Sequence, residues 1–376
     1  MAQYKTLVDK VSIPPNMKTK QKDYESQGTL AIVDQGKKLI GGYTNNAEMA
    51  LQCKLPVIVF GDHTCAVKFV NFPFGAGADG IKVLSPQNGI LPKYLFYGTQ
   101  YLTLRFPDKG YARHYQHIEK MDLPVPSIET QQNIVSSIEE LFSELDKGVE
   151  TLQTIKEQLA VYRQAVLKEA LNGIKGQPYT VKDVCKEIKV GIVIKPSQYY
   201  TDEQVGIKAF RSANVREFHV EDKNWAYLSI AGHQANARSI VHTGDILIVR
   251  SGYPGTACVV PEQFNGCNAI DILIAVPNRD LVLPEFLCAY TNSPLGKKFV
   301  NEKKRGVGQK HFNVSGYSKM LISVPSLDKQ EEIVKKIASR LSVCDSIERT
   351  VNTALAQAEA MRQSILKKAF EGELCK

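Results

Sequence analysis

The sequence predicts an α+β protein in which two similar α/β globular domains alternate with two long helices. Those helices form an antiparallel coiled coil, so that the whole is pseudo-twofold symmetric. Three observations predict this: a long repeat at a fixed offset, an apolar seam inside each copy of it, and fainter repeats between the blocks that precede the copies. The implied boundaries are 1–125 and 174–324 for the globular domains, and 126–173 and 325–376 for the helices.

The repeat sets residues 126–173 over 325–372 with a constant offset of 199 and no gap, and 17 of the 48 positions are identical. Gln131/Gln330, Ile134/Ile333, Asp146/Asp345, Arg163/Arg362, Leu167/Leu366 and Gly173/Gly372 are among them. Internal repeats of this kind decide the architecture before any single element does.

Each copy carries apolar residues at seven-residue spacing. In the first they are Ile138, Leu145, Leu152, Leu159 and Val166. In the second they are Ile337, Cys344, Val351, Ala358 and Ile365. The intermediate row is read as Leu141, Ile155 and Tyr162 in the first helix, and Ile347, Ala354 and Met361 in the second. A 3-4 repeat of this length predicts a coiled-coil seam. Ala354 and Ala358 would face the larger Leu152, Ile155 and Leu159, so the two copies are expected to pair with each other. Ser127 and Ser326 stand where N-caps belong, Glu129 and Asp328 in the first turns, and Gly173 and Gly372 at the ends.

The globular blocks repeat more faintly. "ILPKYLFY" (90–97) resembles "VLPEFLCA" (282–289), "GYARHY" (110–115) resembles "GVGQKHF" (306–312), and "IVFGDHTCAVKF" (58–69) resembles "IVRSGYPGTACVV" (248–260).

Composition narrows the function classes. The chain of 376 residues is 43% hydrophobic and 23% charged, which is globular composition. No apolar run reaches the roughly 20 residues that span a bilayer, and the N-terminus lacks a signal-peptide core. A cytoplasmic protein is therefore expected. The formal charge of +8 is compatible with a phosphate-rich partner. Eight cysteines without a Cys-x-x-Cys pair predict buried thiols and no metal site.

Residues 75–80, Gly-Ala-Gly-Ala-Asp-Gly, match G-x-G-x-x-G, but a dinucleotide loop must open a helix. The adjoining run, Ile81 to Pro86, reads as a strand, so the glycines are expected in a hairpin turn between it and Ala66–Val70. Asn71-Phe72-Pro73-Phe74 misses the Asn-Pro-Pro-Phe tetrapeptide by one residue. No P-loop, H-E-x-x-H or G-x-S-x-G is present, and no catalytic residues are assigned.

A duplicated domain on stiff spacers suits a ligand that repeats along a line, such as duplex DNA. Chemistry singles out the candidate contacts. Lys303, Lys304, Arg305 and Lys310 lie in a basic run suited to phosphates, and Gln309 beside them can read an adenine edge. Arg105, Arg113 and His114 occupy the comparable place in the first block. Gln35, Lys37 and Lys38, with Arg211 and Asn214, sit in loops between strands. Tyr43 is expected on a turn, and His63, Arg250 and Tyr253 complete the set.

"LPVPSIETQQNIVSSIEELFSELD" with "YRQAVLKEALNG", and "ISVPSLDKQEEIVKKI" with "RQSILKKAFEGEL", resemble the two conserved regions of type I restriction–modification specificity (S) subunits. "YTNNAEMALQCKLPVIVFGDHTCAVKF" and "GDILIVRSGYPGTACVV" resemble stretches of their target-recognition domains. The resemblance implies two domains that each read half of a bipartite DNA target. It also implies helices that set the spacer and dock two methyltransferase (M) subunits. S-adenosylmethionine would belong to those M subunits, and ATP to restriction (R) subunits, leaving the S subunit without an active site. A stand-alone DNA methyltransferase or nuclease and a nucleic-acid-free scaffold are the alternatives.

Overall fold

The period-2 runs near the N-terminus become strands, and they collect into two four-stranded sheets. The computed structural model describes residues 1–78, 80–105, 112–303 and 312–374. The chain divides into two compact units, one formed by 1–153 with 352–376 and the other by 154–351. In the first unit the strands are β1 (Ala2–Gln3), β2 (Val8–Val11), β3 (Lys18–Thr19), β4 (Leu30–Val33), β5 (Gly42–Thr44), β6 (Val57–Gly61), β7 (Val67–Val70), β8 (Phe74–Gly77) and β9 (Ile81–Pro86). Helices α1 (Pro92–Thr103) and α2 (Tyr115–Ile118), strand β10 (Asp122–Leu123) and the long α3 (Ile128–Leu171) come after them. One sheet has the order β2-β9-β6-β7 and is antiparallel; the other has the order β3-β8-β4-β5.

The second unit repeats this plan. Its elements are β11 (Gln177–Thr180), β12 (Cys185–Val190), β13 (Ile207–Phe210), β14 (Ala226–Leu228), α4 (Ile230–Ala235), β15 (Ile246–Val249), β16 (Ala257–Val259), β17 (Asn268–Ala269), β18 (Ile272–Pro277), α5 (Pro284–Asn292), α6 (Pro294–Lys303), α7 (Val314–Ser318), β19 (Leu321–Val324) and α8 (Leu327–Phe370). The main sheet order β12-β18-β15-β16 matches β2-β9-β6-β7 strand for strand. In the small sheet β17 runs parallel to β13 and β14 antiparallel to it, as β8 and β5 do beside β4. An isolated parallel bridge, Ile192–Ile270, stands in for β3. The aligned "LP" dipeptides place Pro92 and Pro284 at the first turns of α1 and α5, where a missing N–H costs nothing.

The main sheets are buried on both faces, which is why β15 reads Ile-Leu-Ile-Val without alternation. Ile246 and Ile248 face the cluster that holds Phe286, Leu167 and Ile337, while Leu247 and Val249 face the small-sheet cluster with Phe210 and Phe264. In the first unit Ile58 and Phe60 face Leu95, Ile138 and Phe370, while Val57 and Val59 face Phe74 and Ala76.

The glycine stretch departs from the hairpin expectation. β7 and β9 are not neighbours; each pairs with β6. Phe74–Gly77 is a buried strand lying parallel to both β3 and β4. Glycine is required there by close approach, since a Cβ on Gly77 would come within 2.5 Å of the Asp34 Cβ and 2.6 Å of the Tyr24 hydroxyl. Strand β9 comes next, so the phosphate-binding geometry of a helix-opening loop is not formed.

Both long helices begin and end as their caps predict. The Ser127 hydroxyl accepts the Thr130 N–H at 3.2 Å, and Gly173 and Gly372 take left-handed φ values of +68° and +80°. Ile138, Leu159, Val166, Ile337, Cys344, Val351, Ala358 and Ile365 are buried, while Leu145 and Leu152 are half-buried. The intermediate row differs from the expected one. Leu141, Tyr162, Ile347 and Met361 are exposed, Met361 by 55%. Ile155 and Ala354 are half-buried as expected, but elsewhere the row lies one residue on, through Phe142 and Arg163 in α3 and Leu341, Leu355 and Arg362 in α8. Apolar counting could not place it, because the row carries arginines at repeat-equivalent positions.

Those arginines are ion-paired across the helices. Within the second unit Arg163 donates to Asp345 at 2.7 Å and Glu348 at 2.9 Å, and Glu169 receives Lys336 and Arg340 at 3.0 and 2.6 Å. Numbers rising along α3 meet numbers falling along α8, so the pairing is antiparallel. Within the first unit Arg362 pairs with Asp146, the repeat equivalent of Asp345, and its guanidinium lies 4.2 Å from the Phe142 ring centroid. The Arg163 side chain is 21% exposed. Replacing it with methionine is expected to lower the second unit's unfolding free energy by about 1 kcal/mol in a denaturant titration. A more stable variant would show that desolvation outweighs the pair.

Candidate nucleic-acid interface

In the first unit three segments meet where β4, β6 and β8 end: 34–41, 62–66, and the link into β9. Lys68 reaches up from β7, its ammonium 2.7 Å from the Asp34 carbonyl and 3.4 Å from the carboxylate. Burial pulls the Lys68 pKa down, and Asp34 acts against it. The Asp34 carboxylate also accepts the Gly36 N–H at 2.9 Å, closing an Asx turn that carries Lys37 and Lys38 outward. Tyr24 packs against the same carboxylate; burial first, then Asp34, pushes its phenol up to about 12.

Thr64 donates to the Gln35 carbonyl at 2.5 Å, and the Asp62 N–H donates to the Gly80 carbonyl at 2.6 Å. Asp62 is buried, and its carboxylate accepts the Tyr115 N–H at 2.9 Å. The His114 N–H donates to the Asp62 carbonyl at 2.8 Å, and His63 Nδ1 lies 3.0 Å from the Ala112 carbonyl. Gln35, Lys37, Lys38, His63, Arg113 and His114 are thus brought to one end of the unit. Lys37, Lys38 and Arg113 are exposed. His114 is not; its ring is buried under α2, which departs from the expected surface contact.

Two expected residues lie elsewhere. Tyr43 is in strand β5, not on a turn; it pairs with Ala31 and exchanges both backbone hydrogen bonds with Glu25. Arg105 lies just past α1, 5.6 Å from the Tyr101 ring, which stacks on Phe370 of α8.

The second unit builds its version from 211–225, 250–256 and Asp271. Asp271 has φ +50° directly before β18, where Gly80 with φ +92° stands before β9. Arg250 is turned inward: Nη1 meets the Asp271 carboxylate at 2.5 Å and Nε donates to the Phe312 carbonyl at 3.2 Å. Asn214 is fully buried, accepting the Arg211 N–H at 2.9 Å and donating to the Glu221 and Lys223 carbonyls. Arg211 donates to the Asn224 carbonyl. The side chains of these three residues are engaged in folding the loops. Tyr253, at the tip of 250–256, is 86% exposed.

Lys304, Arg305, Gln309 and Lys310 lie outside the described residues, as does the side chain of Lys303. Phe312, after that segment, exchanges hydrogen bonds with Arg250, beside the Tyr253 loop. Sequence reasoning passed over Arg216 and the hollow of about 520 Å³ that Arg216, Val215, Ser212, Val249 and Ser251 form with Tyr253. Its only signal was position, since loops leaving β13 and β15 must emerge side by side. Among the described residues no group of three or more His, Cys, Asp and Glu could hold a metal ion, and no helix is long and apolar enough to cross a membrane. Burial pushes the thiols of Cys185 and Cys258 up to about 12.

The fold has counterparts among known proteins. Residues 174–357 match the family described as the type I restriction modification DNA specificity domain. The EcoR124I/EcoR124II specificity subunit of Escherichia coli is 23% identical over 372 residues, covering 95% of this chain and 89% of that one. Residues 174–357 of this chain form such a DNA specificity domain. The EcoBI specificity subunit of Escherichia coli is 27% identical over 278 residues, 67% of this chain. That match spans 58% of the EcoBI subunit's length. A chain solved in work on complex assembly and conformational transition of the type I R-M system superposes with a TM-score of 0.67. The two are 17% identical, and the match covers 99% of this chain and 97% of that one, so the fold is shared.

Proposed function

We propose that this chain is a specificity subunit that selects the DNA target of a type I restriction–modification complex and performs no catalysis itself. The domains 1–125 and 174–324 each read one half of a bipartite site. The helices 126–173 and 325–376 set the unread spacer and dock two M subunits, which bring S-adenosylmethionine; R subunits bring ATP. The observation that carries this reading is the repeated loop cluster. The same strand ends present different side chains in the two units, Lys37 and Lys38 in one and Tyr253 with Arg216 in the other. An asymmetric target calls for one scaffold with two surfaces.

The test is to map methylated adenines in the source genome with the gene intact and deleted. Deletion is expected to erase one two-part motif. Unchanged methylation in the deletion strain would reject the proposal. At the level of residues, changing Lys37 and Lys38 together to glutamine is expected to weaken binding to all duplexes alike. It should flatten the dependence of log K on log salt by roughly 2. An unchanged slope would show that neither ammonium meets a phosphate.

A further inference from the structure

The 250–256 loop has a fixed base and a bare tip. At its base the Val249 N–H donates to the Thr256 carbonyl at 2.9 Å and the Gly255 N–H to the Val249 carbonyl at 3.0 Å. Arg250 is anchored to Asp271 and Phe312. Toward the tip, Gly252 and Gly255 take φ values of +79° and +88°, which permit a sharp protrusion. Tyr253 stands between them. One exposed aromatic is ordinary on a protein surface; the hollow directly beside this one is not. It measures about 520 Å³, has Val215 and Val249 in its walls, and carries Ser212, Ser251 and Arg216. Arg216 holds the Ser212 and Val215 carbonyls through Nη1. The matching loop of the first unit, 62–66, is closed tightly by Gly61–Ala66 and Cys65–Gly61 hydrogen bonds and bears His63 and Thr64 in place of a protruding ring.

Resting on the DNA-specificity reading, we propose that Tyr253 is a stacking wedge and that the hollow receives one unstacked base of the second half-site. The phenol ring replaces the stacking partner that the base loses. The Arg216 guanidinium with the Ser212 and Ser251 hydroxyls meets its polar edge. Unstacking is a step the first unit's loop cannot perform, so the two half-sites are read by different means.

The experiment uses the complete S–M complex and a duplex of its mapped target, with 2-aminopurine placed in turn at each position of the second half-site. One position other than the methylated adenine is expected to brighten several-fold on binding. Tyr253→Ala should abolish that signal and weaken binding roughly ten-fold, the loss of one base–aromatic stack, whereas Tyr253→Phe keeps both. Wild-type complex that binds with no such bright position overturns the wedge, as does a Tyr253→Ala complex that binds and brightens like wild type; either leaves the DNA-specificity reading intact. Wild-type complex that binds no mapped duplex overturns both.

Discussion

Replacing Gln131 with leucine is expected to destabilise the first unit by about 3 kcal/mol or more. The residue is fully buried in the first turn of α3. Its side-chain amide donates to the carbonyls of Gly89 and Pro126 at 2.9 and 3.0 Å, and its oxygen accepts the Leu91 N–H at 2.9 Å. Leu91 is the N-cap of α1, which has no side-chain cap, so Gln131 takes over that role from 40 residues away. Leucine fills similar space but takes the partners from one donor and two acceptors in part-buried positions, at about 1–3 kcal/mol each. The second unit contains the same clamp: Gln330 donates to Leu281 and Pro325 at 2.9 Å each and accepts the Leu283 N–H at 2.8 Å. Gln330→Leu should therefore lower the second unit's stability by a similar amount. For units of this size the shift in melting temperature is roughly 6–12 °C. A loss below about 1 kcal/mol in either variant would mean that the clamp is dispensable.

Raising the pH above 10 is expected to unfold both units. Tyr4 places its hydroxyl 2.6 Å from Thr99 Oγ1, and Thr99 directs its own proton to the Leu95 carbonyl at 2.7 Å. Tyr4 must then donate, so its phenol has to stay protonated. Tyr317 does the same in the second unit against Thr291, which donates to Leu287. Burial raises the pKa of Tyr4, Tyr94, Tyr115 and Tyr317 far above the ordinary 10, and that of Tyr97 to about 12. A phenol with a raised native pKa stabilises the fold fully below pH 10. It withdraws that stability as the pH climbs from 10 toward the native value, because only the unfolded chain releases its proton. Each contributes about 1.4 kcal/mol per pH unit in that window. Four of the five lie in the first unit, giving it a slope of roughly 5–6 kcal/mol per pH unit against a total of about 5–15. The second unit adds to Tyr317 the buried thiols of Cys185, Cys258, Cys267 and Cys288, whose raised pKa withdraws stability in the same way. Denaturant titrations from pH 8 to above 11, monitored by tyrosinate absorbance, check this. The buried phenols should ionise only together with loss of structure. Smooth titration of all 16 tyrosines in a chain that keeps its fold would sink the prediction.

Much of the architecture was legible along the chain because it rests on local rules. The offset of 199, the prolines opening α1 and α5, the glycines ending α3 and α8, and the Ile138-to-Val166 row all come from spacing and capping. So does the gathering of Gln35, His63 and Arg113 at one end, since polar residues after buried strands collect where those strands stop. The direction of each polar side chain was a different matter. Arg163 became a seam residue because Asp345, 182 positions away, met it there. Arg250 and Asn214 turned inward toward Asp271, Phe312, Glu221 and Lys223, while Tyr253 found nothing to fold against. Gly75–Gly77 became a buried strand because Tyr24 and Asp34 press on it from another part of the sheet. Periodicity tells a residue which face of its own helix or strand it occupies; only the assembled core supplies the distant partner that decides whether a charge on that face is satisfied inside the protein or left at the surface.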